Sequence, residues 1–195
     1  MNQQQKKIRR QEQILLRLDK LNFATRKQLQ VIENLGGDRN AHRILHEMEK
    51  DKLISSLRQE QKIYFLTNRG KQQIGSNKGD LKKDNITHAL LQNDLYIKLD
   101  MPNDWVKEQP IKWGENKLIP DATFIKNSEY HFVEIDNQQS LKVNYEKIEK
   151  YKSLSKAIFN SYKHHPVLIW YTLSDMRKRK LEEACIKHGI KFKIY

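Results

Sequence analysis

Cysteine is almost absent: Cys185 is the only one in 195 residues. A single thiol excludes an internal disulfide and any zinc site built on cysteines. Long apolar runs are missing as well. None approaches the ~20 residues that a membrane-spanning helix needs, so no membrane role is expected. The opening "MNQQQKKIRRQEQ" lacks the apolar core of a signal peptide, and a cytoplasmic location is the expectation. The chain also has no Gly-rich phosphate loop, no HExxH and no Gly-x-Ser-x-Gly. No internal repeat is visible.

What is abundant is charge. Charged residues make up 31% of the chain against 37% apolar, a wet composition, yet aromatics are spread along it and argue for a folded core. The length suits one domain or two small ones. The formal net charge is +13, and it is unevenly placed. Residues 1–78 hold 17 Lys/Arg against 8 Asp/Glu, whereas residues 79–195 hold 20 against 16. The surplus at the N-terminal end points to a polyanion, with anionic lipid and a merely solvated surface as the other readings of charge alone.

Residues 8–22 carry Ile14, Leu15, Leu18 and Leu21 at helical spacing. Thr25 followed by Gln28 has the pattern of a capping box, and Leu29, Ile32 and Leu35 form the stripe of a second helix that Gly36-Gly37 should end. Asp38 is placed to cap a third helix, with Ala41, Ile44, Leu45 and Met48 facing inward. "LISSL" and "KIYFLT" then flank the polar "RQEQ", a hairpin signal. Three helices and a hairpin predict a winged helix-turn-helix over residues 1–75, which would bind double-stranded DNA with its third helix in the major groove. The outward residues of that helix are Arg39, Asn40, His42, Arg43 and His46, and the wing tip carries Arg58, Gln59, Gln61 and Lys62. Arg suits guanine edges, Asn suits adenine, and both serve phosphates. Such domains also mediate protein contacts, and that reading stays open. No cofactor is needed for this binding.

A short helix over 67–74 closes the unit, and residues 76–85, small and charged, read as a linker. Residues 86–195 then predict helix, three strands, a long helix, a buried strand in "PVLIWYT", a basic helix and a last strand. The fold class expected is α/β (α+β over the whole chain), with a mixed sheet covered by helices. Arg177 to Lys180 open the basic helix as a second DNA contact or, more simply, a solvated turn. His164-His165 read as solvated rather than as ligands.

Asp121 follows Pro120 near the start of one strand, and Glu134 and Asp136 flank Ile135 in the next. This arrangement resembles the PD-(D/E)xK nuclease superfamily. The resemblance implies Mg²⁺ held by Asp121, Glu134 and Asp136 as candidate ligands, since magnesium takes hard oxygen ligands and acidifies a bound water. It also implies a lysine two residues after the second acid, yet that position is Asp136. Lys147 falls inside the buried arc of the long helix marked by Ile148, Tyr151, Leu154 and Ile158. It is a candidate for a migrated catalytic lysine, or else a lysine that only stabilises two acids in an inactive site. Asp121 capping a turn and Glu134 paired at the surface is the plainer alternative.

The winged-helix pattern, "PDATF", "FVEIDNQQS", and Lys147-Ile148 with Tyr151 in "EKIEKYKSL" together resemble the replication-relaxation family of Gram-positive plasmids and integrative elements. The resemblance implies an accessory role in replication, DNA relaxation or conjugative transfer, beside a relaxase or replication protein. A homodimer is compatible with it. Two other readings remain: an active Mg²⁺-dependent endonuclease or nickase, and a transcriptional regulator whose C-terminal domain dimerises or docks a partner.

Overall fold

The computed structural model describes residues 2–137 and 139–195; Met1, and Gln138 within the "FVEIDNQQS" run, lie outside the described residues. Helices and a mixed sheet make an α/β protein, in agreement with the predicted class. The chain divides into two compact units, with the boundary after Ile97.

The first unit opens with α1 (Gln3–Leu21). Apolar periodicity suggests a start near residue 8, but a capping box at Asn2 and Gln5 begins the helix earlier. Its polar first turns are exposed, so periodicity could not register them. Strand β1 (Ala24–Thr25) leads into α2 (Arg26–Ile32), where Thr25 and Gln28 form the expected reciprocal cap. Helix α2 stops at Ile32, earlier than the glycine pair suggests, because Asn34 and Gly36 take left-handed φ values of 46° and 72° and turn the chain. Gly37, with no side-chain cap, is the N-cap of α3 (Asp38–Lys50); Asp38 lies in its first turn and pairs with Arg26 at 2.9 Å.

Strands β2 (Ile54–Arg58) and β3 (Lys62–Leu66) form the expected hairpin, and β1 joins its other side in the order β1-β3-β2. The inward faces of α1, α2 and α3 bury Leu15, Leu18, Leu29, Leu45 and Met48 against Tyr64 and Leu66. Thr67 caps α4 (Asn68–Gln73) through the Gly70 N–H. A Cβ at Gly70 would lie 2.1 Å from the Leu53 carbonyl oxygen, so only glycine allows this approach.

Two expectations change here. Part of the predicted linker, 76–85, is tied back to α1: Ser76 Oγ donates to Asp19 at 2.6 Å, and Lys78 Nζ reaches the Asp19 carbonyl. Helix α5 (Ile86–Lys98), assigned from sequence to the second domain, packs almost wholly with the first. Gln28 Nε2 donates to the Leu90 carbonyl and to Asp94 Oδ1, Asn93 Nδ2 donates to the Phe23 carbonyl, and Ile86 and Ala89 bury against Phe23 and Ile63. A polar linker in sequence marks a loop, not the edge of a core.

The second unit holds β4 (Val106–Lys107), β5 (Ile111–Trp113), β6 (Asn116–Leu118), β7 (Ala122–Lys126), β8 (Glu129–Asp136), α6 (Leu141–Tyr162), β9 (Val167–Thr172), α7 (Asp175–His188) and β10 (Phe192–Ile194). The runs read as single strands over 105–113 and 118–125 are each interrupted, at Pro110 and Pro120, where proline removes a ladder donor. The main sheet has the order β10-β9-β8-β7-β4: β8, β9 and β10 are parallel, while β7 and β4 are antiparallel to their neighbours. Strands β5 and β6 form a separate hairpin. Helices α6 and α7 cover one face, burying Ile148, Tyr151, Leu154 and Leu181 against Phe132, Leu168 and Trp170.

Candidate functional site

In the first unit the predicted DNA-contacting residues Arg39, His42, Arg43, His46, Arg58 and Lys62 are exposed, and Asn40 is half-buried. Arg58 and Lys62 close the hairpin directly opposite each other. Like charges so placed repel and would be relieved by a phosphate. A concavity of about 330 Å³ lies beside them, lined by Arg26, Lys27, His42, Gln61, Lys62 and Tyr64. His42 and His46 stack one turn apart at 6.2 Å.

Several of these groups are already engaged inside the protein. Asn40 Nδ2 donates to the Leu35 carbonyl at 2.8 Å and its Oδ1 accepts from Arg43 at 2.9 Å, so the amide braces the turn before α3 instead of pointing outward. Arg43 and Lys7 both pair with Glu47, which holds that carboxyl below its ordinary pKa. Lys62 pairs with Glu49 at 2.6 Å. Exposed pairs of this kind are worth little and can be exchanged for phosphate contacts.

In the second unit Asp121, Glu134 and Lys147 come together. The register Ala122↔Val133, continued by one residue, sets Asp121 opposite Glu134, and Asp121 Oδ2 accepts from the Ile135 N–H at 2.6 Å. Glu134 is fully buried on the central strand of the sheet. Its Oε2 lies 2.5 Å from Lys147 Nζ and its Oε1 accepts from the Tyr151 hydroxyl at 2.7 Å. Burial pushes the Glu134 carboxyl up to about 7; the charge of Asp121 adds to this, and Lys147 and Tyr151 oppose it. Tyr151 is likewise raised well above its ordinary value, by burial and then by Glu134.

Asp136 shares a face with Glu134 but belongs to a different pair. Arg177 grips it with Nε and Nη2 at 2.6 and 2.5 Å, and Asn144 Nδ2 donates to it at 2.7 Å. Burial works against the Asp136 carboxylate, and the bonds from Arg177 and Asn144 outweigh it, so its pKa stays below the ordinary value. Arg177 also donates to the Gln139 carbonyl, so it is neither a DNA contact nor a solvated turn. Sequence reasoning missed this role. The signal was there: a carboxylate on a buried face requires a cation, and Arg177 starts the helix that follows the neighbouring strand.

The donor set does not fit a magnesium ion in this arrangement. Both oxygens of Glu134 and both of Asp136 accept from protein donors, as does Oδ2 of Asp121. Among the described residues no three His, Cys, Asp or Glu side chains are grouped so as to hold a metal. Of the trio predicted as ligands, Glu134 pairs with Lys147, Asp136 pairs with Arg177, and Asp121 accepts from the Ile135 N–H.

A unit of helices around a three-stranded sheet and a mixed-sheet unit with ion-paired carboxylates at its centre define a two-part α/β protein. The replication-relaxation family model matches residues 15–168, and the chain belongs to that family. No curated protein matches it. Among solved structures, Can2 from Sulfobacillus thermosulfidooxidans, in complex with cyclic tetra-adenylate, is 14% identical with a TM-score of 0.37, covering 91% of this chain and 47% of that one. Protein VC1899 from Vibrio cholerae is 12% identical with a TM-score of 0.40, covering 95% and 52%. The chain spans about half the length of these proteins.

Proposed function

We propose that the chain is a DNA-binding accessory protein of a plasmid or other mobile element, acting in replication, DNA relaxation or conjugative transfer beside a relaxase or replication protein. In this reading the first unit is a winged helix-turn-helix that holds duplex DNA, and the second is a PD-(D/E)xK-like domain whose acid site is closed and does not cut. The observation that carries it is the set of exposed cations on α3 and the hairpin around one basic concavity. Family membership supports the biological setting.

The test is a titration of labelled duplex DNA with the full chain at several salt concentrations. Log affinity should fall linearly with log salt as counterions are released. Absence of binding at ~50 mM salt would overturn the reading. One observation favours a second reading, a Mg²⁺-dependent nickase: Asp121, Glu134 and Lys147 do converge. Plasmid cleavage separates the two.

A further inference from the structure

A groove of about 490 Å³ opens in the second unit, between the β5–β6 hairpin, the C-terminal half of α6 and the start of β8. That volume lies within the roughly 300–1,000 Å³ of ligand pockets. Its walls are aromatic: Trp113, Tyr130, Phe132 and Tyr162 line it, with Thr123 and Ser161 as polar groups. Tyr162 is 60% exposed although it is a large ring at the end of a helix. It stands edge-on to Tyr130 at 5.5 Å, and His164 lies 5.4 Å from Tyr130 and 6.4 Å from Tyr162.

Lysines outnumber acids among the residues flanking the groove, Glu108, Glu115 and Glu129 included. Lys112 is among the lining residues, and Lys150 lies one turn before Leu154 on the same face of α6. Across the hairpin Lys112 sits directly opposite Lys117, a repulsive pair that an anion would relieve. Stackable rings beside a strip of cations are what unpaired nucleotides require, because every base has a π-face and every linkage a negative charge. Duplex DNA cannot use such a groove, since its bases are already stacked on one another. A purely apolar peptide would leave the lysines unmatched.

We infer that this groove binds single-stranded nucleic acid, with a base stacked on Tyr162 and the phosphates set against Lys112, Lys117 and Lys150. Phe132 in its floor packs on Tyr151, the partner of Glu134, at 5.7 Å. The inference is independent of duplex binding by the first unit, and the two can fail separately.

The experiment uses the full chain, a fluorescent 12-nucleotide oligo(dT), the same oligonucleotide with abasic sites, and a duplex. Tyr162→Ala should weaken oligo(dT) binding about tenfold while leaving duplex affinity and the melting temperature unchanged, and Tyr162→Phe should retain binding. The abasic strand should bind as weakly as Tyr162→Ala binds oligo(dT). Equal affinity for the abasic strand, or no effect of Tyr162→Ala, would overturn the inference in favour of simple charge attraction. No binding of oligo(dT) at all would also overturn it and leave a protein segment as the occupant.

Discussion

Lys147 Nζ lies 2.5 Å from Glu134 Oε2, across thirteen residues of sequence and between a helix and a central strand. The lysine side chain remains 20% exposed while the glutamate is 1% exposed. Water therefore reaches one partner only. The glutamate depends on the lysine far more than the lysine depends on it.

Stability should respond to pH through this glutamate. Its carboxyl titrates near 7 in the folded chain, above its ordinary value of 4.5. The folded state thus holds the proton more tightly, a contribution fully present below about pH 4.5 and lost as pH rises through about 7. Buried His131 has a lowered pKa and works in the opposite sense below about pH 6.5. The difference between wild type and Glu134→Gln isolates the glutamate: the wild type should lose up to roughly 1.4 kcal/mol per pH unit relative to Gln across this window. Melting curves at pH 5, 6, 7 and 8 measure it, and parallel curves would remove the assignment.

Lys147→Ala should be more harmful at pH 8 than at pH 6, because only the ionised glutamate is stranded by it. Arg177→Ala should destabilise at both values by about 3–5 kcal/mol, as it leaves the ionised, buried Asp136 unmatched. The double variant Asp136→Asn with Arg177→Met should recover much of that loss. Urea denaturation of wild type, Arg177→Ala and the double variant decides whether the pair is structural; a double variant no more stable than Arg177→Ala would contradict it.

On supercoiled plasmid with Mg²⁺ or Mn²⁺ we expect little or no cleavage, since the carboxylates are occupied by Lys147, Tyr151, Arg177 and Asn144. Robust nicking that disappears in both Asp121→Ala and Lys147→Ala, with folding intact by circular dichroism, would make the protein a nuclease.

Duplex affinity should respond to α3 in two directions. Arg39→Ala and Arg43→Ala should each weaken binding by about 1–3 kcal/mol. Glu47→Gln should strengthen it, because Lys7 and Arg43 would lose the carboxylate that holds both. A weaker duplex complex in Glu47→Gln would mean that Glu47 positions Arg43 for DNA instead of competing with it.

Periodicity and capping made most helices legible. The burial of Ile148, Tyr151, Leu154 and Ile158 follows from the spacing in α6, and the half-buried place of Lys147 follows with it. Strand breaks at Pro110 and Pro120 were less visible, because both sides read as β-formers. The packing of α5 was hidden for a different reason: nothing local in "ITHALLQNDLYIK" tells which core it joins. Of the site, the acids and Lys147 could be read from motif and wheel. Arg177 was the harder partner to assign, since Asp136 demands a cation but lies 41 residues away, and the pairing depends on the parallel crossover that brings them together.

Strand β8 is buried without a break from His131 to Asp136, so apolar alternation cannot tell one alignment from the next. Its two carboxylates, two residues apart, meet cations from two different helices. A slip of one residue would turn both acids to the opposite face. A slip of two would keep the face but strand one acid beyond either cation. The charges thereby act as a vernier on the sheet, penalising misalignments that hydrophobic matching alone would let through, and the acid site itself decides where the strand comes to rest.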